Sequence, residues 1–324
     1  MARHALTPTC LALVQALERV VPAAMSELGV DSCRIGLSGG ADSLALTATM
    51  AWVRDHRVGP LAEVRVSVRV VDHGLQAGSA EVASVAAQAA EDLGIAAQVV
   101  SVEVDPTRIG VEAAAREARY AALGEGDDSL ILLAHTLDDQ AETVLLGLAR
   151  GSGTRSLAGM SVQRERIVRP FLGLRRADTE QACRDWGLTW WDDPTNTNEA
   201  YTRSRLRQAM GLLEGVLGPG LAEGLARTAA LCRTDADHLD ELAAQSGVDT
   251  CQHRIPVKDL LALDPAVRHR VLLTWLRVIG YDAVNRDHVL AVDSLLTDWH
   301  GQKAISVPAG KVMRETGELI LVSH

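Results

Sequence analysis

A strand-like apolar run at residues 34–37 leads into Ser38-Gly39-Gly40-Ala41-Asp42-Ser43, and a helix-like run at 44–53 follows. A glycine-rich turn between a strand and a helix constrains this chain more than any other feature. It bares backbone N–H groups at the positive end of a helix dipole, where phosphate oxygens bind. The two glycines allow close backbone approach, and Ser38 and Ser43 add hydroxyl donors. A Walker A loop would end in Gly-Lys-Ser/Thr, and no lysine precedes Lys258. The spacing also departs from the dinucleotide fingerprint G-x-G-x-x-G.

The rest of the first half alternates. Residues 64–71 read as a strand, 79–93 as a helix, 96–102 as a strand, 111–123 as a helix, 130–134 as a short apolar strand and 138–149 as a helix. This pattern predicts an α/β fold with a doubly wound parallel sheet covered on both faces. Ligands in such sheets sit beyond the carboxyl ends of the strands. Residues 38–43, Asp72-His73 and His135 to Asp139 each follow a strand directly, so three strand ends are expected to point toward one site. From about residue 212 the chain turns mainly helical. The glycine/proline cluster at 215–220 predicts a boundary between a catalytic domain, 1–215, and a smaller C-terminal domain, 216–324.

Five cysteines, without a C-x-x-C pair, fit a reducing cytoplasm and supply no zinc or iron–sulfur pattern. The segment 11–28 is an amphipathic helix, and no uncharged stretch is long enough to span a membrane. A net charge of −10 argues against a protein that coats nucleic acid. Between residues 161 and 207, however, nine arginines face seven acids. Basic patches on an acidic body favour a selective, shape-reading partner over indiscriminate binding.

The Ser38–Ser43 segment resembles the PP-loop of the ATP pyrophosphatase superfamily. Val71-Asp72-His73-Gly74, the Glu112/Arg116/Arg119/Tyr120 pattern and Ala134-His135-Thr136-Leu137-Asp138-Asp139-Gln140-Ala141-Glu142 follow in order. Then come Arg150-Gly151-Ser152-Gly153, Arg169-Pro170-Phe171-Leu172, Asp193-Pro194-Thr195-Asn196, and Tyr201, Arg203 and Arg207. As a set, residues 34–207 resemble the tRNA(Ile)-lysidine synthases.

That resemblance implies a ligase using ATP, Mg²⁺, free lysine and a tRNA(Ile) with a CAU anticodon. The wobble cytidine is adenylated on its C2 oxygen, and the lysine ε-amine then displaces AMP. By motif position Ser38, Gly39, Gly40, Ala41, Asp42 and Ser43 hold ATP. Asp42, Asp138 and Asp139 serve Mg²⁺ and catalysis, carboxylates suiting both a hard cation and an ammonium. Substrate contacts are expected from Asp72, His73, Arg116, Arg119, His135, Glu142, Arg150, Arg169, Arg203, Arg205 and Arg207. Asp139 and Glu142 also read as a helix-capping pair, and Trp190-Trp191 as core packing, with stacking on an unpaired base as the alternative.

The pattern is departed from at Thr136, Ser204, Thr195 and Phe171, which replace histidine, asparagine, serine and leucine. Of the two C-terminal modules that longer members carry, only the first is expected here. The competing readings are a tRNA thiolase, an amide-forming synthetase of the NAD or GMP type, and a non-catalytic RNA-binding protein. The oligomeric state is left open by the sequence.

Overall fold

The computed structural model describes residues 6–57, 59–74, 78–104, 111–151, 153–192, 202–279, 284–308 and 310–323. Its elements run α1 (Pro8–Leu28), β1 (Ser32–Leu37), α2 (Ala41–His56), β2 (Arg65–Asp72), α3 (Ser79–Asp92), β3 (Ala97–Ser101), α4 (Val111–Gly124), β4 (Leu130–Leu132) and α5 (Leu137–Ala149). They continue through α6 (Thr154–Leu157), β5 (Gln163–Arg164), β6 (Ile167–Val168), α7 (Arg176–Asp185), α8 (Thr202–Leu217) and α9 (Leu221–Ala244). The remainder is β7 (Arg254–Pro256), α10 (Val257–Leu261), α11 (Pro265–Ile279), α12 (Arg286–Thr297), β8 (Ile305–Val307), β9 (Gly310–Glu315) and β10 (Glu318–Ser323).

The first six strands form one sheet in the order β3-β2-β1-β4-β6-β5. All pairings are parallel except the last, between β5 and β6. The hairpin that adds β5 and β6 carries no readable alternation, because each strand is two residues long. Strand order reverses at β1 and β4, so the loops after these two strands flank the switch point where α/β sheets bind ligands.

Both faces of β1 are buried, as a central parallel strand requires. Cys33, Ile35 and Leu37 join Leu130 and Leu132 in the core shared with α1, α2, α3 and α7. On the other face Ile131 and Leu133 pack with Leu123 and Tyr120 of α4. Each fully buried Leu or Ile contributes about 1.5–3 kcal/mol. Two buried arginines fasten the end of α4. Arg34 donates to the carbonyls of Leu123 and Glu125 at 2.8 and 2.9 Å, and Arg69 donates to those of Ala122 and Glu125. Cations at a helix C-terminus meet the negative end of its dipole.

The chain divides into two compact units, residues 1–146 with 159–227, and residues 147–158 with 228–324. The break expected at 215/216 falls at the end of α8. Met210 of α8 and Ala222, Leu225 and Ala226 at the start of α9 cluster with Leu137 and Ala141 of α5, so α8 and the start of α9, as far as Arg227, belong to the first unit and the rest of α9 to the second. The second unit carries the antiparallel sheet β7-β10-β9-β8 and a core built on Trp275, Leu272, Leu276 and Leu295. A buried Arg268–Asp293 pair at 2.7 Å lies beside that core. Among the described residues no helix is long and apolar enough to cross a membrane.

Candidate active site

In the loop between β1 and α2, Gly39 holds φ +87°, a left-handed turn that disfavours any side chain. The Ser43 hydroxyl accepts the Ser38 N–H at 3.1 Å and donates to the Gly40 carbonyl at 3.1 Å. The loop is therefore closed by its own side chains, and α2 begins with Ala41 and Asp42, an acid in its first turn.

A cavity of about 450 Å³ opens beside this loop. Of the expected site residues, its wall takes Ser38, Gly40, Ala41, Asp42, Ser43, Asp72, His73, Arg116, Arg119, His135, Asp139, Arg203 and Arg207. The three strand ends named from sequence thus do meet at one place. Gly39 lies just behind the wall, its carbonyl accepting the Trp191 N–H at 3.1 Å. Trp190 and Trp191 are part of the wall, and Trp190 also packs on the core, so core packing describes the pair only in part.

Asp139 is the most constrained of the acids. Its Oδ2 accepts the Thr136 N–H at 2.8 Å and the Thr136 hydroxyl at 3.0 Å, while the Asp139 N–H points back to that hydroxyl at 3.5 Å. The reciprocal cap of α5 is therefore Thr136 with Asp139, and the expected Asp139–Glu142 cap is corrected. Thr136, a departure from the family pattern, becomes the residue that orients Asp139. On its other oxygen Asp139 meets Arg176 at 2.8 Å and Arg207 at 3.6 Å. Burial pushes its carboxyl up, but Arg176, the Thr136 N–H, His135 and Arg207 outweigh this and hold it below the usual range.

Asp42 shares the same arginine. Arg176 Nε lies 3.1 Å from Asp42 Oδ2, and the Thr179 hydroxyl donates to Oδ1. Desolvation lifts the Asp42 carboxyl above its ordinary value in spite of both partners. Asp72, at the mouth, is held low by the Ser79 hydroxyl and the Gly74 N–H. His135 is driven down to about 4 by burial and by the cations of Arg169, Arg116 and Arg203, against the pull of Asp139. It is a neutral imidazole whose buried Nδ1 has no partner among the described residues.

Other expected residues stand off the cavity wall. Asp138 accepts the Arg176 backbone N–H at 2.7 Å and pairs with Arg175 at 3.1 Å, joining α5 to the start of α7. Glu142 is buried and pairs with Arg207 at 2.9 Å. Arg169 is buried, donating to the Ser161 carbonyl at 2.9 Å, with no carboxylate partner among the described residues. Arg205 donates to the Thr202 hydroxyl, and Arg150 is exposed at the end of α5, in the second unit. Arg203, Arg205 and Arg207 therefore do not act alike: Arg203 and Arg207 line the cavity, and Arg207 is committed to acids. Asp193, Pro194, Thr195, Asn196 and Tyr201 fall outside the described residues.

Arg176 and Thr179 were not singled out from sequence as site residues. Their partners lie 37 to 137 residues away, so only the fold reveals them; the one available signal was an arginine pair just after Arg169-Pro170-Phe171-Leu172. As for a metal, Asp42 and Asp139 are hard-oxygen donors already gathered around one positive charge. Such a pair, completed by phosphate oxygens and water, fits Mg²⁺. No group of three or more His, Cys, Asp or Glu donors able to hold a metal by itself occurs among the described residues.

A family model described as a PP-loop domain matches residues 13–213, and one described as a TilS substrate binding domain matches residues 256–320. The tRNA(Ile)-lysidine synthase of Leifsonia xyli subsp. xyli is 48% identical over 302 residues, covering 90% of this chain and 89% of its own. That of Rhodococcus erythropolis is 44% identical over 328 residues, covering 97% and 96%. Among solved structures, a U34-tRNA thiolase from Methanococcus maripaludis superposes with a TM-score of 0.55 at 19% identity, over 69% of this chain and 78% of its own. That likeness concerns the fold. Identity near one half along almost the full length of curated relatives, with both family domains in order, places the chain in the tRNA(Ile)-lysidine synthase family.

Proposed function

We infer that the chain is an ATP-dependent ligase that joins free lysine to C2 of the wobble cytidine of a CAU-anticodon tRNA(Ile). The observation that carries this reading is the single cavity in which a phosphate loop, an acid pair and a set of arginines face one another. Loop N–H groups and the hydroxyls of Ser38 and Ser43 bind the triphosphate. Arg116, Arg119 and Arg203 offer cations to the RNA phosphates. The cytidine C2 oxygen attacks the α-phosphorus and pyrophosphate leaves. The lysine ε-nitrogen, having lost a proton, then attacks C2, and AMP departs with the former C2 oxygen.

Asp139, held ionised, offers the incoming ammonium a charge-assisted acceptor. Asp42 and Asp139 would hold Mg²⁺, which would supply neutralisation of the phosphate charge. His135, neutral and with a ring nitrogen to spare, can hydrogen-bond a base or ribose without adding charge. A thiol-transfer reading lacks a nucleophile here. No cysteine lines the cavity, and burial pushes the Cys33 and Cys183 thiols up to about 12.

The test is AMP release from ATP in the presence of cognate tRNA. Release is expected to depend on lysine and to follow pyrophosphate formation. Sulfide-dependent release, or release without tRNA, would count against this function.

A further inference from the structure

Arg176 is a cation that the chain itself places among the acids. As the first residue of α7 it has a side chain only 22% exposed, and its guanidinium reaches Asp42 at 3.1 Å, Asp139 at 2.8 Å and Glu142 at 3.8 Å. Arg207 pairs with Asp139 and Glu142 from another direction. Three carboxylates thus meet two guanidiniums and keep one negative charge in excess. A divalent ion arriving alone would find the carboxylate oxygens engaged and a positive charge at contact distance, a repulsion that persists even in water. Phosphates seated on the loop beside Asp42 add several negative charges and outweigh that repulsion.

We propose that Arg176 makes divalent-cation binding at Asp42 and Asp139 conditional on nucleotide. Before nucleotide binds, its guanidinium holds the two carboxylates together and occupies the place of the metal. It yields those contacts when the ion arrives with phosphate. The chain is thereby kept from loading free metal onto acids that the lysine ammonium also needs. Arg176 is a positioning residue, acting through Asp42 and Asp139. The inference rests on the reading that ATP binds the Ser38–Ser43 loop.

The experiment counts bound Mn²⁺ on the full chain by electron paramagnetic resonance, alone and with α,β-methylene-ATP. Wild type should retain no Mn²⁺ alone and one ion with the analogue. Arg176→Gln should bind Mn²⁺ without nucleotide at least about tenfold more tightly than wild type. Arg176→Lys, which keeps the charge, should remain nucleotide-dependent, a rescue that a merely structural role would not produce. Wild type that binds Mn²⁺ equally with and without the analogue overturns the inference. So does a folded Arg176→Gln that gains nothing. If Arg176→Gln does not fold, the two wild-type titrations decide. Analogue bound without retained Mn²⁺ sinks this inference alone, whereas no analogue binding removes the phosphate-loop reading and the inference with it.

Discussion

Asp139 is fixed by the Thr136 N–H and hydroxyl and by two arginines, so replacing it by asparagine changes charge more than position. Asp139→Asn is expected to keep part of its tRNA adenylation while its lysine KM rises at least about tenfold, the range of one charge-assisted hydrogen bond. Steady-state kinetics of the two half-reactions separate these effects. Loss of adenylation with an unchanged lysine KM would assign Asp139 to ATP alone. Ser38→Ala removes a loop hydroxyl that packs on Ser43, and adenylate formation should collapse while the circular-dichroism melt stays near that of the wild type. His135 supplies a pH signature. With a folded pKa of about 4 against an ordinary 6.5, the unfolded chain takes up a proton that the fold refuses. Stability is therefore lost as pH falls from 6.5 toward 4, and His135→Gln should remove part of that loss in urea titrations. An identical pH slope in the variant would mean that the ring is protonated in the fold.

Among the elements, α8 joins two kinds of arginine within a short stretch of one helix. Arg207 balances Glu142, whose side chain is 2% exposed, so Arg207→Ala should destabilise the protein by about 3 kcal/mol by uncovering a buried charge. Thermal and urea unfolding of the variant measure that loss. Arg203→Ala with Arg205→Ala should instead weaken tRNA binding and lower the log–log salt slope by about 0.7 to 0.9 for each phosphate that the pair neutralises. An unchanged slope would show that these two side chains serve the protein and not the RNA. The strands β1 to β4 and helices α1 to α5 were legible in the sequence because each is bounded by turn residues or runs long enough to show its period. The hairpin β5–β6 was not, at two residues per strand. The start of α7 was not legible as part of the site. Residues 37 and 134 positions apart are brought together at Arg176 by sheet topology, which no local pattern encodes.

For the molecule as a whole, net charge alone misleads. The chain carries −10, yet its cavity is lined by Arg69, Arg116, Arg119, Arg176, Arg203 and Arg207. Motif order pointed to the family and strand ends pointed to the site, because a doubly wound sheet presents its ligand at the switch point. Division of labour among the acids was not readable, since Asp138 and Asp139 are neighbours in sequence but face different partners. Transfer of lysine to a tRNA base at this cavity is decided by incorporation of ¹⁴C-lysine into total tRNA, followed by digestion and nucleoside analysis. ATP-dependent label is expected in a single modified cytidine, at the wobble position of tRNA(Ile) with a CAU anticodon, and none with Asp42→Ala. Label in the acceptor-end ester alone, or no label while ATP is still cleaved, would refute lysine transfer at this site.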